Sequence, residues 1–241
     1  LELETGMNRT GINLSDLNEF INLIKENKNI IVEGIFTHLS SADYDIKYTK
    51  KQLEKFNKSV NIIKKEFNSI KYIHAEASNG LLNYNDNITN LVRPGIIMYG
   101  YEASRYTNEK IHIEPICKLK TKIVFIKKVS KGESISYSRK FISEKNMRIA
   151  TIPIGYADGL NRLLSNKGEV VINNKKCKIL GNICMDSCMV DITDLENVEI
   201  GTDVYIWDNN LIKVEDVAKI CNTINYEILS NISYRVIRKF K

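Results

Sequence analysis

At 241 residues, 43% apolar and 27% charged, the chain has an ordinary globular composition and enough length to bury one large core or two modest ones. Its net charge of +6 is spread over lysines that alternate with Glu and Asp, with no basic run beyond pairs such as Lys64-Lys65, which argues against a nucleic-acid partner. Five cysteines without a C-x-x-C spacing point to free thiols in a reducing cytoplasm and to no metal site, and no apolar run approaches the roughly 20 residues of a membrane span.

Residues 1–4 alternate apolar and acidic side chains as a short strand with the texture of mid-strand, so the chain is expected to be cut from something longer. Ser15 reads as the N-cap of a helix with Leu17, Phe20, Ile21 and Ile24 at helical spacing. Residues 30–37 form a second expected strand, followed by His38 and Asp43, and residues 45–67 an amphipathic helix. A third strand at 71–74 leads into Ala75-Glu76-Ala77-Ser78-Asn79-Gly80. After a short helix, Leu91-Val92-Arg93-Pro94-Gly95 precedes a fourth strand at 96–99. Strands alternating with helices, each strand ending in polar residues, are the pattern of a parallel sheet. From about residue 111 strand-like runs dominate (116–129, 147–154, 169–172, 176–179, 189–192, 203–207), with one helix near 214–222. The expected fold is α/β plus β: the C-terminal half of a (β/α)8 barrel, its last four strands, over residues 1–110, then a mostly β domain over 111–241. The polar segment 102–110 is the expected linker.

One stretch, 129–162, reads as two strands around a turn-rich middle, with Tyr137 near the end of the first and Gly155-Tyr156-Ala157-Asp158-Gly159 at the end of the second. A tyrosine so placed can bury its ring and leave its hydroxyl in water, or it can transfer protons if cationic neighbours lower its pKa.

The three motifs Gly132-Glu133-Ser134-Ile135-Ser136-Tyr137, Ile154-Gly155-Tyr156-Ala157-Asp158-Gly159 and Gly181-Asn182-Ile183-Cys184-Met185-Asp186, in that order, resemble the alanine racemase family, whose members bind pyridoxal 5'-phosphate (PLP) and invert the α-carbon of small amino acids. The resemblance implies a homodimer with shared active sites, in which Tyr137 is one of two catalytic bases and reaches the partner subunit's site. It implies that Ser78, Gly95, Ile96 and Tyr234 hold the cofactor phosphate, and that Arg93 faces the pyridine nitrogen. It further implies that His38 links Arg93 to the tyrosine as a chain of positive charge. Arg9, the Met185 backbone N–H and Tyr156 fall at substrate-binding positions, and Asp43, Arg162 and Ile232 at the gate of the substrate channel.

The chain departs from the family pattern in four places. No lysine stands where the family has its Schiff-base lysine, the PLP anchor and second base, so a fragment inactive alone is expected. Glu2 replaces a family lysine often modified to an anionic carbamate, and its carboxylate is expected to hold Arg9 directly. Ala77-Ser78 replaces Asn-Ser, and Asn182 replaces a gate arginine, which leaves alanine as the default substrate, with serine or a broader range as the alternative. A non-catalytic remnant of such a racemase is the reading from another class.

Overall fold

Described in a computed structural model over residues 1–84, 87–102 and 112–240, the polypeptide folds as two units, Leu1–Glu114 and Pro115–Lys241. Residues 103–110 of the expected linker lie outside the described residues.

In the first unit, β1 (Leu3–Glu4) pairs in parallel with β2 (Ile12–Asn13), and helix α1 (Leu17–Glu26) follows. After β3 (Gly34–Phe36) and the long helix α2 (Ile46–Glu66), β4 (Tyr72–His74) returns parallel to β3 with Phe36 opposite His74. A parallel bridge between Glu2 and Phe36 sets β1 beside β3, so the spatial order is β2-β1-β3-β4. Helix α3 (Ser78–Asn83) leads on, and a second parallel bridge joins Ala77 to Arg93.

Apolar residues at helical spacing dictate how the helices seat. On α1, Leu17, Ile21 and Ile24 are buried; on α2, Leu53, Phe56, Val60 and Ile63 pack with the strand residues Leu3, Ile35 and Ile73 in one core. Each such side chain contributes about 1.5–3 kcal/mol relative to exposure. The Asp45 side chain caps α2 by accepting from the Tyr48 N–H at 2.8 Å. The expected cap of α1 shifts by one residue: Asp16 occupies the N-cap, and Ser15 Oγ donates to it at 2.6 Å.

The expected fourth strand is a correction. Residues Ile96–Tyr99 form a 3-10 turn that closes on Gly100, whose φ of 78° suits a residue without a side chain. The parallel pairing occurs just upstream, at Arg93.

The second unit is built on one antiparallel sheet. Its strands are β5 (Leu119–Lys122), β6 (Phe125–Val129), β9 (Met147–Ile152), β10 (Glu169–Ile172), β11 (Lys175–Leu180), β12 (Cys188–Asp191) and β13 (Asp203–Trp207). They lie in the order β5-β13-β10-β11-β12-β9-β6. The small hairpin β7 (Ser134–Ile135) and β8 (Phe141–Ile142) is inserted between β6 and β9. Two helices close the unit, α4 (Val214–Ile220) and α5 (Asn225–Ser230); sequence periodicity indicated only the first. Among the described residues no helix is long and apolar enough to cross a membrane, and no group of three His, Cys, Asp or Glu could hold a metal ion.

Candidate active site

In the first unit the C-terminal ends of β3 and β4 converge on Arg93. Its Nη2 donates to the carbonyls of Thr37 (3.0 Å) and Ala75 (3.2 Å) and stands 3.5 Å from His38 Nδ1. Its Nη1 bonds His74 Nδ1. The guanidinium carbon lies 5.4 Å from the centroid of Phe36, and that ring stacks on His74 at 5.0 Å and 13°. An arginine fork held by two carbonyls, an imidazole and an aromatic face has little freedom to turn.

Two imidazoles against one permanent cation are poorly placed to charge. Burial, then the Arg93 charge, depresses the His74 pKa to about 4. His38 is lowered for the same leading reason, burial, followed by the charges of Arg9 and Arg93, with Glu2 opposing. Burial lowers Arg93 as well, against the pull of Glu76 and Glu2. The charge of the cluster rests on Arg93, and burial together with the neighbourhood of Arg93 disfavours the charged form of His38. Because His38 Nδ1 faces a donor, its proton sits on Nε2, which leaves that nitrogen as a donor pointed elsewhere.

Ser78 and Gly95 are brought together. The Gly95 N–H donates to Ser78 Oγ at 2.9 Å, and among the described residues the buried hydroxyl gives its own proton to no acceptor. Among the described residues, the Ile96 N–H donates to no other group.

The loop that carries Arg9 is shaped by Glu4, whose carboxylate accepts from the N–H groups of Gly6 and Asn8, and by Tyr48, whose hydroxyl donates to the Gly6 carbonyl at 2.9 Å. Arg9 itself is exposed. Glu2 does not hold it: among the described residues the Glu2 carboxylate accepts from Thr10 Oγ1 at 2.8 Å and forms no ion pair with Arg9. Thr10 is the nearer donor and carries no charge to desolvate. Asp43 is half-buried in the same unit.

In the second unit Tyr137 sits at the tip of the β7–β8 hairpin, 68% exposed. Two side chains hold that tip. Ser136 Oγ donates to the Asn182 carbonyl at 2.5 Å, and Asn182 Nδ2 returns a bond to the Tyr137 carbonyl at 2.9 Å. Asn182, expected as an altered gate residue, is only 9% exposed and faces the hairpin.

The two glycines of Gly155-Tyr156-Ala157-Asp158-Gly159 are required by close approach. A Cβ on Gly155 would meet the carbonyl oxygens of Cys184 and Met185 at 2.3 Å, and one on Gly159 would meet that of Asn231 at 2.3 Å. The loop is tied to the Met185 turn by Tyr156 N–H to Cys184 O (3.1 Å) and Ala157 N–H to Met185 O (3.0 Å). Arg235 spans the same loops, bonding Asp186 at 2.7 Å and approaching Asp158 at 3.5 Å. Tyr156 and Arg162 both line a cavity of about 250 Å³ with Leu160 and Asn231. Ile232 is half-buried beside that cavity's Asn231, and Tyr234 is 93% exposed.

Sequence reasoning missed His74, Phe36 and the inward role of Asn182. A signal for His74 existed, since it ends a strand as His38 follows one, and neighbouring parallel strands bring their C-terminal ends together. No comparable signal marked Asn182.

Residues 116–240 match the family described as alanine racemase, C-terminal domain, and residues 1–103 match alanine racemase, N-terminal domain. Alanine racemase 1 of Clostridium acetobutylicum is 42% identical over 246 residues, an alignment covering 100% of this chain and 64% of that protein. The alanine racemase of Clostridium novyi is 40% identical over 247 residues with the same coverage. Among solved structures, alanine racemase from Clostridium difficile 630 superposes with a TM-score of 0.90 at 35% identity, covering 98% of this chain and 62% of that one. The Bacillus anthracis alanine racemase solved with bound L-Ala-P gives 0.88 at 33% identity, covering 100% and 64%. The chain thus spans 64% of the length of these two curated relatives.

Proposed function

The chain belongs to the alanine racemase family, and we propose that the protein carrying it is a PLP-dependent isomerase that interconverts the enantiomers of a small amino acid, alanine first. The observation that carries the reading is the convergence of Arg93, His38 and His74 at adjoining parallel strand ends. Residues 1–110 are then part of a (β/α)8 barrel and residues 111–241 the β-rich domain. The active species is a cytoplasmic homodimer in which Tyr137 of one subunit serves the cationic cluster of the other.

The donor set suits the cofactor. Ser78 Oγ and the Ile96 N–H, neither of which donates to another group among the described residues, fit a phosphate, and Gly95 between them adds no side chain to obstruct it. Tyr234 supplies a phenol for the same phosphate. PLP, when bound, withdraws electrons from the substrate's α-carbon and makes its proton acidic. Arg93 stays protonated at working pH, so it would donate to the ring nitrogen and keep that nitrogen neutral, which would disfavour transamination and decarboxylation. Tyr137 takes or returns the α-proton on one face, and His38 Nε2–H steadies the phenolate. Arg9 and the Met185 N–H bind the substrate carboxylate, with Tyr156, Asp43, Arg162 and Ile232 narrowing its approach. No residue of this chain is assigned as the second base. Because Asn182 turns inward, it gives no support to a widened gate, and alanine is preferred over serine.

Replacing Arg93 by Glu in the full-length protein tests the reading. Racemisation of alanine should fall while the ratio of transamination to racemisation rises; an unchanged ratio overturns the role given to Arg93.

A further inference from the structure

Helix α2 sends one amide into the layer beneath the cationic cluster. Gln52 is 1% exposed, and both ends of its amide are fully used. Its Nε2 donates to Thr5 Oγ1 and to the His38 carbonyl, each at 3.2 Å. Its Oε1 accepts from the Ser40 N–H at 3.0 Å and from Ser40 Oγ at 3.2 Å. The orientation is fixed by these partners, because the Ser40 N–H can only donate and the His38 carbonyl can only accept.

The direction of the adjoining bonds follows. Thr37 Oγ1 donates to the Leu3 carbonyl at 2.8 Å, so across the 2.7 Å contact between the two hydroxyls it is Thr5 that gives its proton to Thr37. Thr5 then accepts from Gln52. The run Gln52 to Thr5 to Thr37 to Leu3 has one direction, and the Gln52 amide starts it. Residue 37 is held through Thr5, residue 38 by its carbonyl and residue 40 by its N–H. His38 has an anchored residue on either side, and Arg93 donates to the Thr37 carbonyl at 3.0 Å.

We propose that Gln52 is a positioning residue for His38: its amide fixes the backbone of residues 37–40 and so holds the imidazole against Arg93. The proposal rests on His38 being part of the active site, and it extends that site to a helix residue that touches neither substrate nor cofactor.

The test is histidine NMR on the full-length protein with bound PLP, labelled at the histidine ring carbons, with His38 assigned by its loss in His38→Gln. Burial first, then the charges of Arg9 and Arg93 with Glu2 opposing them, set its titration. In Gln52→Met, the His38 titration should move up towards the ordinary histidine value as the ring leaves Arg93 and gains water, and kcat should fall by about 10²-fold with KM little changed. Ser59→Ala is the matched control. Ser59 lies on the same helix, is 4% exposed and, among the described residues, bonds the Lys55 carbonyl at 3.0 Å and no other group, so it should leave the His38 titration in place. If Gln52→Met does not fold, Gln52→Asn, one methylene too short to reach, should give the same upward movement. A His38 titration unmoved in whichever Gln52 variant folds reduces Gln52 to a structural residue and overturns the proposal. Full racemisation in His38→Gln instead sinks the active-site reading of His38, while the effect of Gln52 on its titration stands as a separate result.

Discussion

His74 and Arg93 show what a permanent cation does to a neighbour that could share its charge. His74 accepts from Arg93 at Nδ1, which it can do only as a neutral ring, and burial plus the guanidinium keep it neutral down to about pH 4. The unfolded chain takes up that proton near pH 6.5, so it binds more protons than the folded protein between those two values. The stability His74 contributes is therefore complete above pH 6.5 and is lost as pH falls through that window to about 4. His74→Asn should flatten this part of the stability profile, read by denaturant melts at pH 7, 6, 5 and 4; an unchanged slope would show that His74 charges freely in the fold. The thiols carry a second residue-scale expectation. Burial raises Cys177 to about 11 and Cys188 to about 12, leaving little of the thiolate that alkylating agents need. Mass spectrometry after iodoacetamide at pH 8 should find both unmodified in the folded protein and modified once it is unfolded. Rapid native labelling of Cys188 would contradict the packing of β12.

At the scale of elements, the β7–β8 hairpin is the part most dependent on distant support. Ser136, Ser138 and Arg139 all have positive φ, at 67°, 60° and 48°, which costs residues with side chains on the order of 1–3 kcal/mol each and persists only where surroundings enforce it. Asn182 and the Ser136 hydroxyl supply that enforcement. Asn182→Ala leaves the Tyr137 carbonyl without its side-chain donor. It should cost about 1–3 kcal/mol of stability and lower kcat while PLP uptake, followed by absorbance, is unchanged; full activity would show that the hairpin holds its phenol without Asn182. The same element marks the limit of what the sequence disclosed. Gly155 and Gly159 were legible because close approach and φ of 102° at Gly159 leave glycine alone fitting there, whereas serine carries no comparable mark of a left-handed turn. Residues 96–99 misled for the opposite reason. Ile-Ile-Met-Tyr has strand composition, but it closes as a 3-10 turn on Gly100, which takes the left-handed region at φ of 78°.

For the whole molecule, the chain-order alternation of strand and helix and the later run of strands were enough to separate an α/β part from a β-rich part. Arg93, His38, Ser78 and Gly95 were singled out through the resemblance to the alanine racemase family; their places after strands alone would have left each reading as a turn or core residue. The Gln52 amide was not legible, because a glutamine on an amphipathic helix reads as surface until its burial is known. What joins the two parts functionally is the assignment of a phenol from one subunit to a cationic cluster on the other. The direct test is Tyr137→Phe in the full-length protein with PLP bound, following exchange of the α-hydrogen of L- and D-alanine with deuterium from solvent. Exchange from one enantiomer should drop by at least about 10²-fold, while exchange from the other and the uptake of PLP persist; equal loss from both enantiomers, or no loss from either, would contradict it.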